Sequence, residues 1–155
     1  MAIRYWLAVA SRDHVRTAVD LGIAQVNRGA RAGLDRMGEF DGLVYYSPKT
    51  EYPDGEILRH FTAVGRVADG LLYQAVSMDR NPWRRRVDWD LAAESAPIRP
   101  LLGSLDLTRN APDWGHQLRA GFLEISRHDF EIIRQAMQRP SPDDRRYPEE
   151  RRWPA

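Results

Sequence analysis

The sequence predicts an α+β fold: a mixed, mainly antiparallel β-barrel with peripheral helices. Three observations lead there. Short β-prone runs recur along most of the chain. The dipeptide Asp69-Gly70, a favoured tight-turn pair, separates two of them and predicts a hairpin. No strand-helix-strand alternation runs through the chain, which argues against a doubly wound sheet. About six strands with helices tucked between them curl readily into a barrel, the arrangement that removes exposed sheet edges.

The elements follow in order. IRYWLAVAS (3 to 11) is aromatic and apolar enough for a buried strand, and Ser11 then caps a helix that Gly22 ends. IAQV (23 to 26) is long enough only for a strand, and GLVYYS (42 to 47) is a strand that Pro48 is expected to stop by withholding its amide. ILRHFTAVGRVAD (57 to 69) carries the longest β signal, followed across the expected turn by LLYQAVSM (71 to 78). WRRRVDWD (83 to 90) reads as a strand with one wet face, IRPLLGSL (98 to 105) as a short helical turn, and GFLEIS (121 to 126) as a strand. Ser126 opens the last helix, with Asp129 in the place of a capping-box acid and Phe130, Ile133, Ala136 and Met137 at helical spacing. Helices are expected near 12 to 20 and 127 to 138. Residues 3–138 make one domain, and 139–155, rich in proline and arginine, are a tail with little apolar area to bury.

Composition narrows the chemistry. A chain of 155 residues, 43% hydrophobic and 29% charged, suits one globular domain. The absence of cysteine excludes disulfides, thiolate zinc sites, iron–sulfur clusters and cysteine nucleophiles, and fits a reducing, cytoplasmic setting. YWLAVA (5 to 10), the longest apolar run near the start, is too short to span a bilayer, so no membrane role is expected. Net charge is only +1, which leaves any nucleic-acid affinity to local patches such as Arg84-Arg85-Arg86. His14, His60, His116 and His128 are scattered without ligand spacing, so no metal is expected. Phosphate-loop, dinucleotide and GxSxG motifs are missing, and neither a cofactor nor a catalytic residue is assigned.

Two constellations remain. Trp6, Trp83, Trp89 and Trp114 come from separate segments; those at 83 and 114 sit in loop-like contexts that suit a stacking platform for a flat or methylated base, although tryptophans also plug the ends of barrels. The polar set is Ser47, Lys49, Arg84, Arg85, Arg86, Gln117 and Arg119. Gln117 offers a donor and acceptor for a base edge, while the cations suit phosphate; a solvated strand face is the plainer explanation of the arginine run. Lys49 is the lone lysine beside twenty-two arginines.

YWLAVASRDHV, YYSPK, FTAVGRV, NPWRRRVDW, APIRPLL, WGHQLRAGFLEIS and DFEII occur in the order and at about the spacing of the EVE domain, and the chain resembles that PUA-like family over residues 3 to about 138. The resemblance implies a single PUA-like β-barrel with peripheral helices. It also implies a non-catalytic nucleic-acid-binding module, since EVE domains are similar in fold to YTH readers of methylated adenine and a eukaryotic relative is regarded as a reader of modified cytosine. The cage tryptophan of the YTH pattern has no counterpart after Gly22-Ile23, where Ala24 stands. The expected partner is therefore DNA or RNA carrying a modified base. Ser47, Lys49, Trp83, Trp114 and Gln117 are expected to bind the ligand, and Arg84, Arg85 and Arg119 the backbone. Two alternatives are a small ASCH-type amidohydrolase using Lys49 with Glu51 or Asp54, and a protein-interaction module built on the tail.

Overall fold

A computed structural model describes residues 2–76 and 80–138. Its strands are β1 (Tyr5–Val9), β2 (Ile23–Ala24), β3 (Gly42–Lys49), β4 (Ile57–Gln74), β5 (Trp83–Trp89), β6 (Ala96–Pro97) and β7 (Phe122–Ile125). The α-helices are α1 (Arg12–Leu21), α2 (Trp114–Gln117) and α3 (Arg127–Ala136), with short 3-10 turns at Asn27–Gly29, Leu34–Arg36, Arg99–Leu101 and Leu118–Ala120. Expectations for residues 77–79 and for the tail at 139–155 lie outside the described residues.

One mixed sheet runs in the order β2-β5-β4-β3-β1-β7, with β6 beside β4. Only β1 and β3 are parallel among these pairs; every other pairing is antiparallel. Alternate side chains divide between two buried faces. On one face Trp6, Leu43, Tyr45, Ala63, Val67, Val87 and Trp89 pack under Val15 and Ala18 of α1. On the other, Leu7, Val44, Tyr46, Phe61 and Val64 pack under Phe130, Ile133 and Met137 of α3. Both helices therefore use their apolar stripe, as an amphipathic helix must to offset its ordering entropy.

Strand pairing follows an open path, so the expected closed barrel is corrected to a curled, open sheet. Non-strand chain fills the gap between its edges. Leu34 and Met37 are buried in the α1-side core, their carbonyls accept from Arg85 of β5, and Gly33 lies against the Phe122 ring of β7. Such a segment has no regular hydrophobic period, and for that reason the sequence pattern does not reveal it.

The hairpin at Asp69-Gly70 does not form. β4 runs through both residues, and Leu72, Tyr73 and Gln74 pair with Arg85, Arg84 and Trp83 instead of folding back. A register shift between Val67 and Leu72 absorbs the dipeptide: the Asp69 carboxylate accepts from the Leu71 amide at 2.9 Å, while its carbonyl accepts from Arg85 at 2.8 Å. A bulge thus takes the place of a turn. Pro48 likewise does not end β3, because a second shift between Ser47 and Lys49 accommodates its missing amide. Of IAQV, only Ile23 and Ala24 pair with a neighbour.

The helix ends follow their caps. Gly22 closes α1 in the left-handed conformation, φ 67°, which a side chain would resist. Ser126 Oγ accepts from the Asp129 amide at 3.1 Å, as the cap requires. The Asp129 carboxylate departs from the capping-box pattern: it accepts from the amides of Asp106 and Leu107 at 2.7 and 2.9 Å and pins that loop to α3.

Candidate nucleic-acid interface

Three segments meet beside the first turn of α1: residues 25–31 after β2, residues 49–55 at and beyond the end of β3, and residues 82–84 at the start of β5. Each contact has a local cause. The Asp13 amide, left without an intrahelical partner at the helix start, donates to the Thr50 carbonyl at 3.1 Å. Gly29 lies so close to Pro82 that a β-carbon there would collide with it. Arg84 Nε donates to Gln25 Oε1 at 2.6 Å, and Arg28 donates to the Tyr52 hydroxyl at 3.3 Å. Asn27 and Arg28 both hold positive φ, 46° and 62°, a conformation that costs non-glycine residues energy and that packing on both sides maintains.

The cluster alternates cations with aromatic rings. Arg31 stands over Trp83 at 4.8 Å, and Arg28 over Tyr52 at 5.8 Å. Tyr52 is 74% exposed, an unusual place for so large a ring. Lys49 lies in the same loop and donates to the Pro53 carbonyl at 2.9 Å.

Beneath this cluster lies a buried, hydrogen-bonded layer. Tyr45 is fully buried, stacked on Trp89 at 5.3 Å. Its hydroxyl donates to the Gln25 carbonyl at 2.6 Å and accepts from the Gln25 amide at 3.1 Å. Burial raises the phenol pKa strongly, against a smaller opposing effect of the Gln25 bond. His14 presents its ring edge-on to Tyr45 at 6.3 Å. Burial, then the nearby Arg84 cation, lower its pKa below the ordinary histidine value, and a backbone bond with Gln25 offsets part of that. His14 is therefore mainly neutral at pH 7, with one ring nitrogen a donor and the other an acceptor.

The structure divides the residues singled out by sequence. Trp83 and Arg84 join this cluster through Arg31 and Gln25, and Lys49 stands at the base of the loop that reaches it through Tyr52. Ser47 is wholly buried behind it, its hydroxyl bonded to that of Thr62 at 2.8 Å. Trp114 lies on the other face of the sheet, edge-on to Tyr46 at 6.5 Å, so it forms no joint cage with Trp83. Gln117 and Arg119 are exposed on the segment that carries Trp114.

Arg85 points inward. At 2% exposure it donates to the carbonyls of Leu34, Met37 and Asp69 and joins β5 to the segment that fills the sheet gap. Burial lowers its pKa and the Asp69 and Asp41 carboxylates oppose that, yet none of this leaves a face for phosphate. Arg86 is exposed, over Tyr73 at 5.7 Å and 3.6 Å from Asp69. Lys49 forms no ion pair with Glu51 or Asp54 among the described residues.

Residues that sequence reasoning passed over complete the cluster: His14, Gln25, Arg28, Arg31, Tyr45 and Tyr52. The run QVNRGAR at 25 to 31 carried a visible signal, polar and glycine-punctuated immediately after a strand. Elsewhere, Asp106, His128 and Asp129 bring ligand-type atoms within 4.8 Å of one another. Their oxygens are already engaged: those of Asp129 by two backbone amides, those of Asp106 by Ser126 and Arg109. That group is a scaffold joint.

With this geometry in view, comparison with known proteins identifies the class. The EVE domain model matches residues 4–136, and the chain belongs to the EVE domain family. It is similar to the UPF0310 protein of Renibacterium salmoninarum, 51% identical over 133 residues that cover 86% of this chain and 94% of the relative. It is also similar to the UPF0310 protein YdcG of Bacillus subtilis, 36% identical with 88% and 94% of the two chains covered. Among solved structures, a hypothetical protein from Leishmania major matches with a TM-score of 0.51 at 18% identity, over 98% of each chain. Protein Atu2648 from Agrobacterium tumefaciens matches with a TM-score of 0.50 at 12% identity, over 87% and 94%. These structural likenesses concern the fold alone. No described helix is long and apolar enough to cross a membrane.

Proposed function

We propose that this chain is a non-catalytic nucleic-acid-binding module that takes a modified base, methylated or hydroxymethylated, from an extruded or single-stranded position. The observation that carries this reading is the interleaving of arginines and aromatic rings around the Arg84–Gln25 pair. Single-stranded nucleic acid needs two things of a protein surface: flat rings to stack on and cations to follow the backbone. Trp83 and Tyr52 supply rings, and Arg28, Arg31, Arg84 and Lys49 supply charge.

Base identity needs polar groups whose positions are fixed before the ligand arrives. Gln25 is held at its backbone by Tyr45 and at its side chain by Arg84, and neutral His14 adds a donor or an acceptor. The buried Tyr45–Trp89 stack belongs to the layer beneath them. The mixed α+β sheet with helices on both faces keeps the strand-and-helix content that the family resemblance implies, without the closed barrel, and a cytoplasmic setting fits a cysteine-free chain.

Hydrolysis through Lys49 is not favoured. A lysine acting as base or nucleophile needs a neighbour that takes or shifts its proton, and Lys49 instead donates to a backbone carbonyl within its own loop. The test is a titration of matched single strands bearing plain, methylated or hydroxymethylated bases against the full chain and its Trp83→Ala form. Tighter binding of a modified strand, lost on substitution, supports the reading; equal affinity for all strands in both proteins counts against it.

A further inference from the structure

On the far side of α1 from His14, the structure assigns a second binding site: a groove between α1 and β4 that takes a phosphate group. The inference goes beyond base recognition and does not rest on it. Turning about 100° per residue, α1 buries Val15 and Ala18, sets His14 on one flank of that stripe and sets Arg12, Arg16 and Asp20 on the other. The second flank walls a groove of about 280 Å³, lined by Arg12, Val15, Arg16, Val19, Asp20, Thr62 and Ser95. That volume accommodates a phosphate with part of an attached sugar or a small organic group.

Three features give the groove its ligand class. Arg12 and Arg16 stand one helical turn apart, and neither forms an ion pair among the described residues. Arg12 Nε is buried without a hydrogen-bond partner, which leaves a desolvated donor that a bound oxyanion would satisfy. Thr62 and Ser95 bring hydroxyls to the groove, and the Thr62 hydroxyl is held in place by Ser47. Two guanidinium groups with adjacent hydroxyls match the several acceptor oxygens of a phosphate. Asp20, one turn beyond Arg16, repels a second anion at that end and so favours a ligand with one phosphate there and a hydroxyl or amine further along.

A phosphate ester of this kind comes either from a nucleic-acid backbone or from a small phosphorylated molecule. The full chain and its Arg12→Ala/Arg16→Ala form are titrated with inorganic phosphate, with a 5′-mononucleotide and with an unmodified single strand, following the amide resonances of Thr62 and Ser95. Arg16 is exposed and Arg12 only half-buried, so the double variant is expected to fold, which its melting curve verifies.

Inorganic phosphate and the mononucleotide are expected to shift both resonances in the wild type, with affinity falling about tenfold for each arginine lost. If the strand binds through the groove, its salt slope also falls by about 0.7 for the one phosphate released. A strand unaffected by the substitutions, with the mononucleotide response lost, assigns the groove to a small phosphate ester. Identical phosphate responses in wild type and variant, or shifts confined to residues outside the groove, overturn the proposal. Phosphate responses that persist in a Gln25→Ala form with no base preference support the groove independently of the base-recognition reading.

Discussion

Arg84 reaches from the start of β5 to the side-chain oxygen of Gln25 at 2.6 Å, joining a half-buried cation to an amide whose backbone Tyr45 holds. The Gln25 side-chain nitrogen keeps its two donors, since Arg84 engages the oxygen. Substituting the two residues separates charge from recognition. Arg84→Ala is expected to weaken plain and modified strands alike and to reduce the salt slope by about 0.7. Gln25→Ala is expected to narrow the gap between modified and plain strands while leaving the slope unchanged. Fluorescence anisotropy across a salt series distinguishes these outcomes.

The two tryptophans are expected to behave differently because they stand on opposite faces of the sheet. Trp83→Ala should weaken strand binding by about 1–3 kcal/mol, the range for one lost stacking contact. Trp114→Ala should leave binding intact and lower stability by about 2 kcal/mol, because its ring is half-buried against Tyr46. Paired binding and denaturant curves decide the matter; a binding defect confined to the Trp114 variant would reverse the assignment.

Arg85 tests whether buried charge here serves the fold. Removing it takes a donor from the carbonyls of Leu34, Met37 and Asp69, and among the described residues the Leu34 carbonyl keeps only its bond from the Met37 amide at 3.3 Å. Arg85→Ala is expected to cost about 3 kcal/mol, which in a domain of this size lowers the melting temperature by about 10 °C. An unchanged melting temperature would show that other packing holds the segment.

His14 makes stability depend on pH. Its pKa is lowered in the folded chain, first by burial and then by Arg84, so between that lowered value and about 6.5 the unfolded chain binds more protons. Its contribution is therefore present above pH 6.5 and is lost as pH falls through the folded value. His14→Gln should flatten the stability profile across that window in denaturant titrations at successive pH values. A profile identical to the wild type would place the titrating group elsewhere.

How much of this was legible in the sequence depends on which physical signal each part emits. Bulky β-prone runs made β1, β3 and β7 readable, partial alternation β5, capping residues α1, and a cap with apolar residues at helical spacing α3. Asp69-Gly70 misled because the turn preference of a dipeptide is local, whereas a buried arginine from β5 decided the backbone path. Arg85 carried the same ambiguity: within Arg84-Arg85-Arg86 three identical charges alternate between faces, and only the position of Val87 and Trp89 two and four residues on marks the middle one as inward. His14, Gln25 and Tyr52 could not be grouped from sequence, because the contacts that unite them join segments far apart in the chain. Family resemblance supplied the class, and the geometry supplied the grouping.

The most direct measurement is chemical-shift mapping of the full chain with matched single strands that differ only in one base modification. The expected result is tighter binding of a modified strand, with the largest differences between strands at the amides of His14, Gln25, Trp83 and Arg84. Equal affinity for every strand, with no shift at those four residues, would contradict modified-base recognition at this site.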